Sequence, residues 1–184
     1  MTDTDPLDSP AEKYMASQVL MASAGHAADA LDSFSTWLLG GSAAILAVLF
    51  ASQPHFSEVL SIPTLQKASF IFLLSAAVGV LNKYLATIIA GAYASSKETV
   101  AIAKRLDEEG FALQMTRVHS ELEKAIFPPM RWVVRKANES AEKGDTVMSA
   151  RAISRIAQIQ GYLTVVVSLL ILVAFGVVVC GLVS

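Results

Sequence analysis

The sequence is poor in the residues that build most catalytic and metal-binding sites. Of its 184 residues, only one is a cysteine and three are histidines. The single cysteine, Cys180, excludes an intrachain disulfide and, because it lies in an apolar run, indicates no redox compartment. The histidines stand in three separate parts of the chain, at His26, His55 and His119. We therefore predict no metal site within a single chain.

Sequence motifs for known catalytic chemistry are also missing. The chain has no glycine-rich phosphate loop, no His-Glu-x-x-His and no Cys-x-x-Cys. No serine stands in a Gly-x-Ser-x-Gly turn, and Cys180 has no histidine partner on its own helix. We predict no catalytic residue and no cofactor.

Charged residues are almost absent from three long windows of the chain. Hydrophobic residues make up 54% of the sequence and the mean hydropathy is +0.53, both above the values of ordinary globular proteins. The windows are 34–53, 68–96 and 156–184, and their only charged residue is Lys83. Since about 20 apolar residues cross a hydrocarbon core of roughly 30 Å, each window is long enough to span a bilayer. The sequence predicts an all-α integral membrane bundle with three transmembrane helices.

The basic residues indicate how the chain is oriented. Eleven of the 14 lysines and arginines lie in the segment 97–155, between the second and third spans. The positive-inside rule assigns this segment to the cytoplasm, in a bacterial inner membrane or a plasma membrane, with the N-terminus cytoplasmic and the C-terminus external. The polar start does not resemble a cleaved secretory signal. The predicted organisation is a cytoplasmic N-terminal segment with a helix from about residue 10 (1–33), a first span (34–53), an external loop (54–66), a second span that continues into the cytoplasm (67–96), a basic cytoplasmic helical hairpin (97–155) and a third span (156–184).

Local signals mark where the helices begin and end. Ser9-Pro10-Ala11-Glu12 forms a capping box that predicts the start of an amphipathic helix, which can run on into the first span. Ser61-Ile62-Pro63 predicts the start of the second helix. No proline follows until Pro128, so an uninterrupted second helix would have about 65 residues, with Gly110 as its weakest point. Asp145 is the expected N-cap of the third helix.

Asn82 and Lys83 form the strongest polar anomaly inside an apolar window. A charged residue at membrane depth by default indicates a functional site. Two interpretations are open for Lys83. If the second span begins near Leu65, Lys83 lies at the inner interface and its amine reaches the headgroups; if the span ends near Ser96, Lys83 is buried and needs a partner. We favour the interfacial interpretation because the other two windows contain no acidic residue.

Small residues and a basic cluster provide the remaining candidate sites. Small side chains at four-residue spacing let helices approach closely, either within the chain, which we favour, or between subunits. The basic cluster would contact lipid headgroups or a partner, or pack back onto the preceding helix as a hairpin. The helix-packing candidates are Gly40, Ala44, Ser75 and Gly79, and the cluster consists of Arg131, Trp132, Arg135 and Lys136.

Three functions compete at this point. The first is a non-enzymatic, oligomeric membrane protein that receives a signal or binds a partner through its cytoplasmic hairpin. The second is an oligomeric channel or pore, including a toxic or lytic one, whose path is lined by Ser75, Asn82, Lys83 and Thr87. The third is an intramembrane enzyme with an unrecognised motif. The expected partners are the lipid bilayer, further copies of the chain and a cytoplasmic protein, with no nucleic acid.

Overall fold

The computed structural model describes residues 10–52, 61–109, 135, 139 and 147–183. Within these residues the chain is all-helical, as the sequence predicts, with three long helices and no strand. Helix α1 is Pro10–Ala51, α2 is Ile62–Glu108 and α3 is Met148–Val183. At a rise of 1.5 Å per residue the helices are about 63, 70 and 54 Å long, so each exceeds the thickness of a bilayer core.

Two of the predicted helix starts lie within the described residues. Pro10, which the sequence assigns to the first helical position, is the first residue of α1. α2 begins directly after Ser61, whose carbonyl accepts hydrogen bonds from the backbone amides of Thr64 and Leu65 at 3.1 and 3.3 Å. The hydroxyls of Ser61 and Thr64 lie 2.8 Å apart and close this first turn. The capping residues Ser9 and Asp145 lie outside the described residues.

α2 is shorter than the uninterrupted helix considered from the sequence. It ends at Glu108 after 47 residues, and its last turn is closed by the amide of Glu109, which donates to the carbonyl of Arg105 at 3.0 Å. The end falls two residues before Gly110, and glycine disfavours the helix interior by about 1 kcal/mol relative to alanine. The predicted turn of the hairpin at Pro128 lies outside the described residues.

The three helices bury few of their apolar side chains within the chain. In the most apolar part of each helix, at most 28% of the residues are buried within the chain. The exposed side chains include Trp37, Phe70 and Leu172. A soluble protein seldom leaves contiguous apolar surface of this kind uncovered. By length and composition, all three helices are able to cross a membrane.

Contacts divide the chain into two compact units. One, called here the apolar unit, contains His26–Ala90 and Ile156–Ser184; the other, the charged unit, contains Met1–Gly25 and Gly91–Arg155. Only five of the chain's charged residues belong to the apolar unit: Asp29, Asp32, Glu58, Lys67 and Lys83. The helices themselves run without interruption through these boundaries.

In the apolar unit α2 runs antiparallel to both α1 and α3. At one end, Leu65 and Ala68 of α2 pack with Val178 of α3 and Leu49 of α1. Toward the C-terminal end of α2, the residues that it contacts on α1 and α3 have lower residue numbers. The three helices therefore keep one register throughout the unit. Much of the interior is alanine, which allows the close helix approach that stabilises membrane bundles.

In the charged unit, α1 and α2 approach closely at Gly25. A Cβ atom at this position would lie 2.8 Å from the Cγ atom of Tyr93, so a larger residue would displace the tyrosine ring. Lys104 and Glu108 of α2 form an i, i+4 pair at 3.9 Å. Such exposed pairs contribute about 0.2–0.5 kcal/mol each to helix stability.

Candidate functional site

A polar layer crosses the interior of the apolar unit. It consists of Ser35 of α1, Asn82 of α2, and Gln160 and Thr164 of α3, all buried. The side-chain amide of Asn82 donates two hydrogen bonds, to Ser35 Oγ at 2.8 Å and to Thr164 Oγ1 at 3.0 Å. One residue of α2 thus connects all three helices.

Gln160 extends the polar layer by one turn of α3. Its amide Nε2 donates to the backbone carbonyl of Ala28 at 3.0 Å, and the hydroxyl of Thr164 donates to the backbone carbonyl of Gln160 at 3.0 Å. These bonds connect α3 to α1 at a second level. Ala28 is itself almost fully buried, so the small side chain leaves room for the glutamine to reach the backbone.

Two acceptors in the polar layer have no hydrogen-bond donor among the described residues. They are Oδ1 of Asn82 and Oε1 of Gln160. A buried acceptor without a donor costs about 1–3 kcal/mol. Both oxygens can accept a hydrogen bond from a small donor such as a water molecule.

Lys83 forms an ion pair with Asp32 beside the polar layer. Its Nζ atom lies 2.9 and 3.2 Å from the two carboxylate oxygens of Asp32. The side chains are 62% and 27% exposed, so the pair lies on the surface of the chain rather than in its interior. In water such a pair contributes about 0–1 kcal/mol.

The position of this pair along the helices bears on the two interpretations of Lys83. About 30 Å of helix separates Asp32 from Ala51, and a similar length separates Lys83 from Ile62. That distance equals the thickness of a hydrocarbon core. The apolar windows contain no acidic residue, but Asp32 lies just before the first of them. Lys83 therefore has an acidic partner, Asp32, and its side chain is also exposed.

The small residues of α2 pack inside the unit. A Cβ atom at Gly79 would lie 2.5 Å from Leu39 Cδ1, so only glycine fits there without movement of the leucine. Ser75 is fully buried, and its hydroxyl donates to the backbone carbonyl of Val167 at 3.3 Å.

Gly40 and Ala44 lie on the side of α1 opposite the buried Ser42. Both are exposed, and a Cβ atom at Gly40 would meet no described atom within 4 Å. Packing against the described residues therefore does not account for this pair. The subunit contact that the sequence left open remains a prediction.

The other candidate residues are scattered. Arg135 is exposed and lies 3.5 Å from Glu139, whereas Arg131, Trp132 and Lys136 are outside the described residues. In the part of the chain that the structure describes, no three histidine, cysteine or acidic residues are grouped closely enough to hold a metal ion. His26 is described and exposed, while His55 and His119 are not described.

Sequence reasoning missed Asp32, Ser35, Gln160 and Thr164. Each is an ordinary residue when its helix is considered alone, because a single polar side chain is tolerated in an apolar helix. Once α2 is placed antiparallel to α1 and α3, these residues lie at the same position along the helix axes as Asn82 and Lys83. This alignment is the signal that would have identified them.

No protein-family model matches this chain, and no curated protein and no solved structure is significantly similar to it.

Proposed function

We propose that this chain is a non-enzymatic, multi-pass membrane protein that acts by association, with further copies of itself in the bilayer and with a cytoplasmic partner through the basic segment 97–155. Its N-terminus is cytoplasmic and its C-terminus external. One observation carries the proposal: the buried polar side chains bond to one another within a single chain, whereas a face of small residues on α1 is left uncovered by the described residues.

The burial of the polar layer argues against a pore lined by several copies. Such a path needs polar side chains on the outer surface of each chain. Asn82 and Ser75 are fully buried and bond to neighbouring helices of the same chain. Of the four residues expected to line a path, only Lys83 and Thr87 are exposed, and Lys83 is paired with Asp32.

The uncovered small-residue face favours association of helices. Gly40, Ala44, Ala47 and Ala51 recur at helical spacing and are all exposed. They lie on the side of α1 opposite the buried Ser42 and form a shallow surface on which another helix can approach closely. In a bilayer this packing replaces the hydrophobic driving force that lipid removes.

Conductance of the purified full-length protein in planar bilayers separates association from pore formation. We expect no discrete currents over a wide range of voltage and pH. Discrete currents that disappear in the Lys83→Leu variant would overturn the proposal in favour of a pore.

Self-association in liposomes tests the small-residue face. We expect Gly40→Val to weaken energy transfer between donor- and acceptor-labelled copies, with an association constant lower by about tenfold, equivalent to about 1.4 kcal/mol. Gly176→Val on α3 is the matched control, because Gly176 is also exposed with no described atom within 4 Å of its Cβ position. Equal effects of the two substitutions would show that the face on α1 has no special role.

A further inference from the structure

Two grooves meet at the Lys83–Asp32 ion pair, along the crease between α1 and α2. One of them, called here the upper groove, has a volume of about 310 Å³ and runs from the ion pair along Thr36 and Leu39 of α1 and Val80 of α2. The second, called here the lower groove, has a volume of about 200 Å³ and lies on the other side of the ion pair. Both contain Asp32 and Lys83 in their walls.

The two grooves differ in chemistry. Beyond the ion pair, the upper groove is lined largely by apolar and small side chains, including Leu39, Ala76 and Val80. The lower groove adds a second carboxylate, Asp29, one turn before Asp32 on α1. An apolar channel thus opens onto a site with one ammonium and two carboxylate groups.

We propose that this crease binds one phospholipid whose headgroup carries a primary amine, of the phosphatidylethanolamine type. The acyl chain lies in the upper groove, the phosphate accepts a hydrogen bond from Lys83 Nζ, and the headgroup ammonium lies between Asp29 and Asp32. The inference rests on the membrane location proposed above.

Charge complementarity selects this headgroup among common lipids. A zwitterionic headgroup with a primary amine offers a negative phosphate for Lys83 and N–H donors for both carboxylates, and charge-assisted hydrogen bonds of this kind are the stronger ones. A choline headgroup has the same net charge but no N–H donor. An anionic glycerol headgroup would bring no cation to the two carboxylates and would add a negative charge beside them.

The depth of the ion pair agrees with this placement. The pair lies about 30 Å of helix from Ala51 and from Ile62, at the level where headgroups begin if those helix ends stand at the opposite surface. The upper groove extends from the pair toward those ends, which is the direction an acyl chain takes into the bilayer.

Lipid retention measured by native mass spectrometry tests the proposal. The full-length protein is exchanged into detergent micelles with equimolar phosphatidylethanolamine, phosphatidylcholine and phosphatidylglycerol of identical acyl chains. We expect one retained phosphatidylethanolamine, with a preference of about tenfold over phosphatidylcholine, equivalent to about 1.4 kcal/mol. Equal retention of the three lipids, or a preference for phosphatidylglycerol, would overturn the proposal.

Variants assign the preference to the crease. Asp29→Asn and Asp32→Asn should each reduce the preference for phosphatidylethanolamine, whereas Glu98→Gln, which removes an exposed carboxylate outside the crease, should preserve it. Thr36→Trp should fill the upper groove and lower the retention of all lipids. An unchanged preference in both aspartate variants would locate the lipid elsewhere and refute the assignment.

Failure of the underlying membrane proposal has a different readout. If alkaline carbonate releases the protein from membranes, the membrane location itself is wrong. If the protein stays in the membrane fraction but shows no preference among the lipids, only the lipid site is wrong.

Discussion

At the scale of single residues, Asn82 connects all three helices of the apolar unit. In lipid the helices gain little from burying apolar surface against each other, so directional bonds between them matter relatively more. The two hydrogen bonds of Asn82 reach Ser35 of α1 and Thr164 of α3. A side chain that satisfies both neighbours at once favours one register over alternatives shifted by a turn, as a buried asparagine does in coiled coils.

A double-mutant cycle between Asn82 and Thr164 measures this link. Asn82→Leu and Thr164→Val each remove the hydrogen bond at similar volume, and we expect a coupling of about 0.6–1.7 kcal/mol in the free energy of unfolding in bicelles. Ser168→Ala provides the control, because the Ser168 hydroxyl bonds only back to the carbonyl of Thr164 among the described contacts. A coupling for Asn82 and Thr164 no larger than that for Asn82 and Ser168 would contradict the link.

At the scale of elements, the three helices were predictable and their contacts were not. Apolar length is a local property, and it located all three helices. The apolar window nevertheless starts the first span at Phe34, whereas α1 is continuous from Pro10, because a helix does not have to end where its apolar surface ends. Asp32 was missed as the partner of Lys83 because that pairing depends on which turn of α1 faces α2, and this is set by packing along the whole helix. α2 ends at Glu108, and Gly110, the weak point expected from the sequence, lies outside the described residues.

Cysteine cross-linking tests the register of α1 against α3. Ser35 Oγ and Thr164 Oγ1 lie 3.4 Å apart, so in a Cys180→Ala background the variant Ser35→Cys with Thr164→Cys should form a disulfide readily. Ser35→Cys with Ser168→Cys displaces one partner by a turn, about 6 Å along the helix, and should cross-link poorly. Higher yield from the second pair would mean that α3 is shifted by one turn.

At the scale of the whole molecule, the described helices reverse the usual distribution of polarity. Polar side chains fill part of the interior, while large apolar side chains such as Trp37, Phe70 and Leu172 are exposed. A surface of this kind is suited to the apolar core of a bilayer, which the three helices are long and apolar enough to cross. The basic residues predict the orientation in the membrane, because only Lys13 precedes the first span and only Lys67 stands between the first two, against eleven in 97–155.

Labelling of single cysteines in intact and opened vesicles tests that orientation. In a Cys180→Ala background, Thr2→Cys and Ser120→Cys should react with an impermeant maleimide only from the cytoplasmic side, and Glu58→Cys only from the external side. Each cysteine reports the side of the membrane on which its own segment lies, so the labelling pattern distinguishes an inverted bundle from a wrong number of spans. Cytoplasmic labelling of Glu58→Cys with external labelling of the other two would mean that the bundle is inverted. Labelling of all three from one side would mean that the number of spans between them is even, so the three-span topology would be wrong whatever its direction.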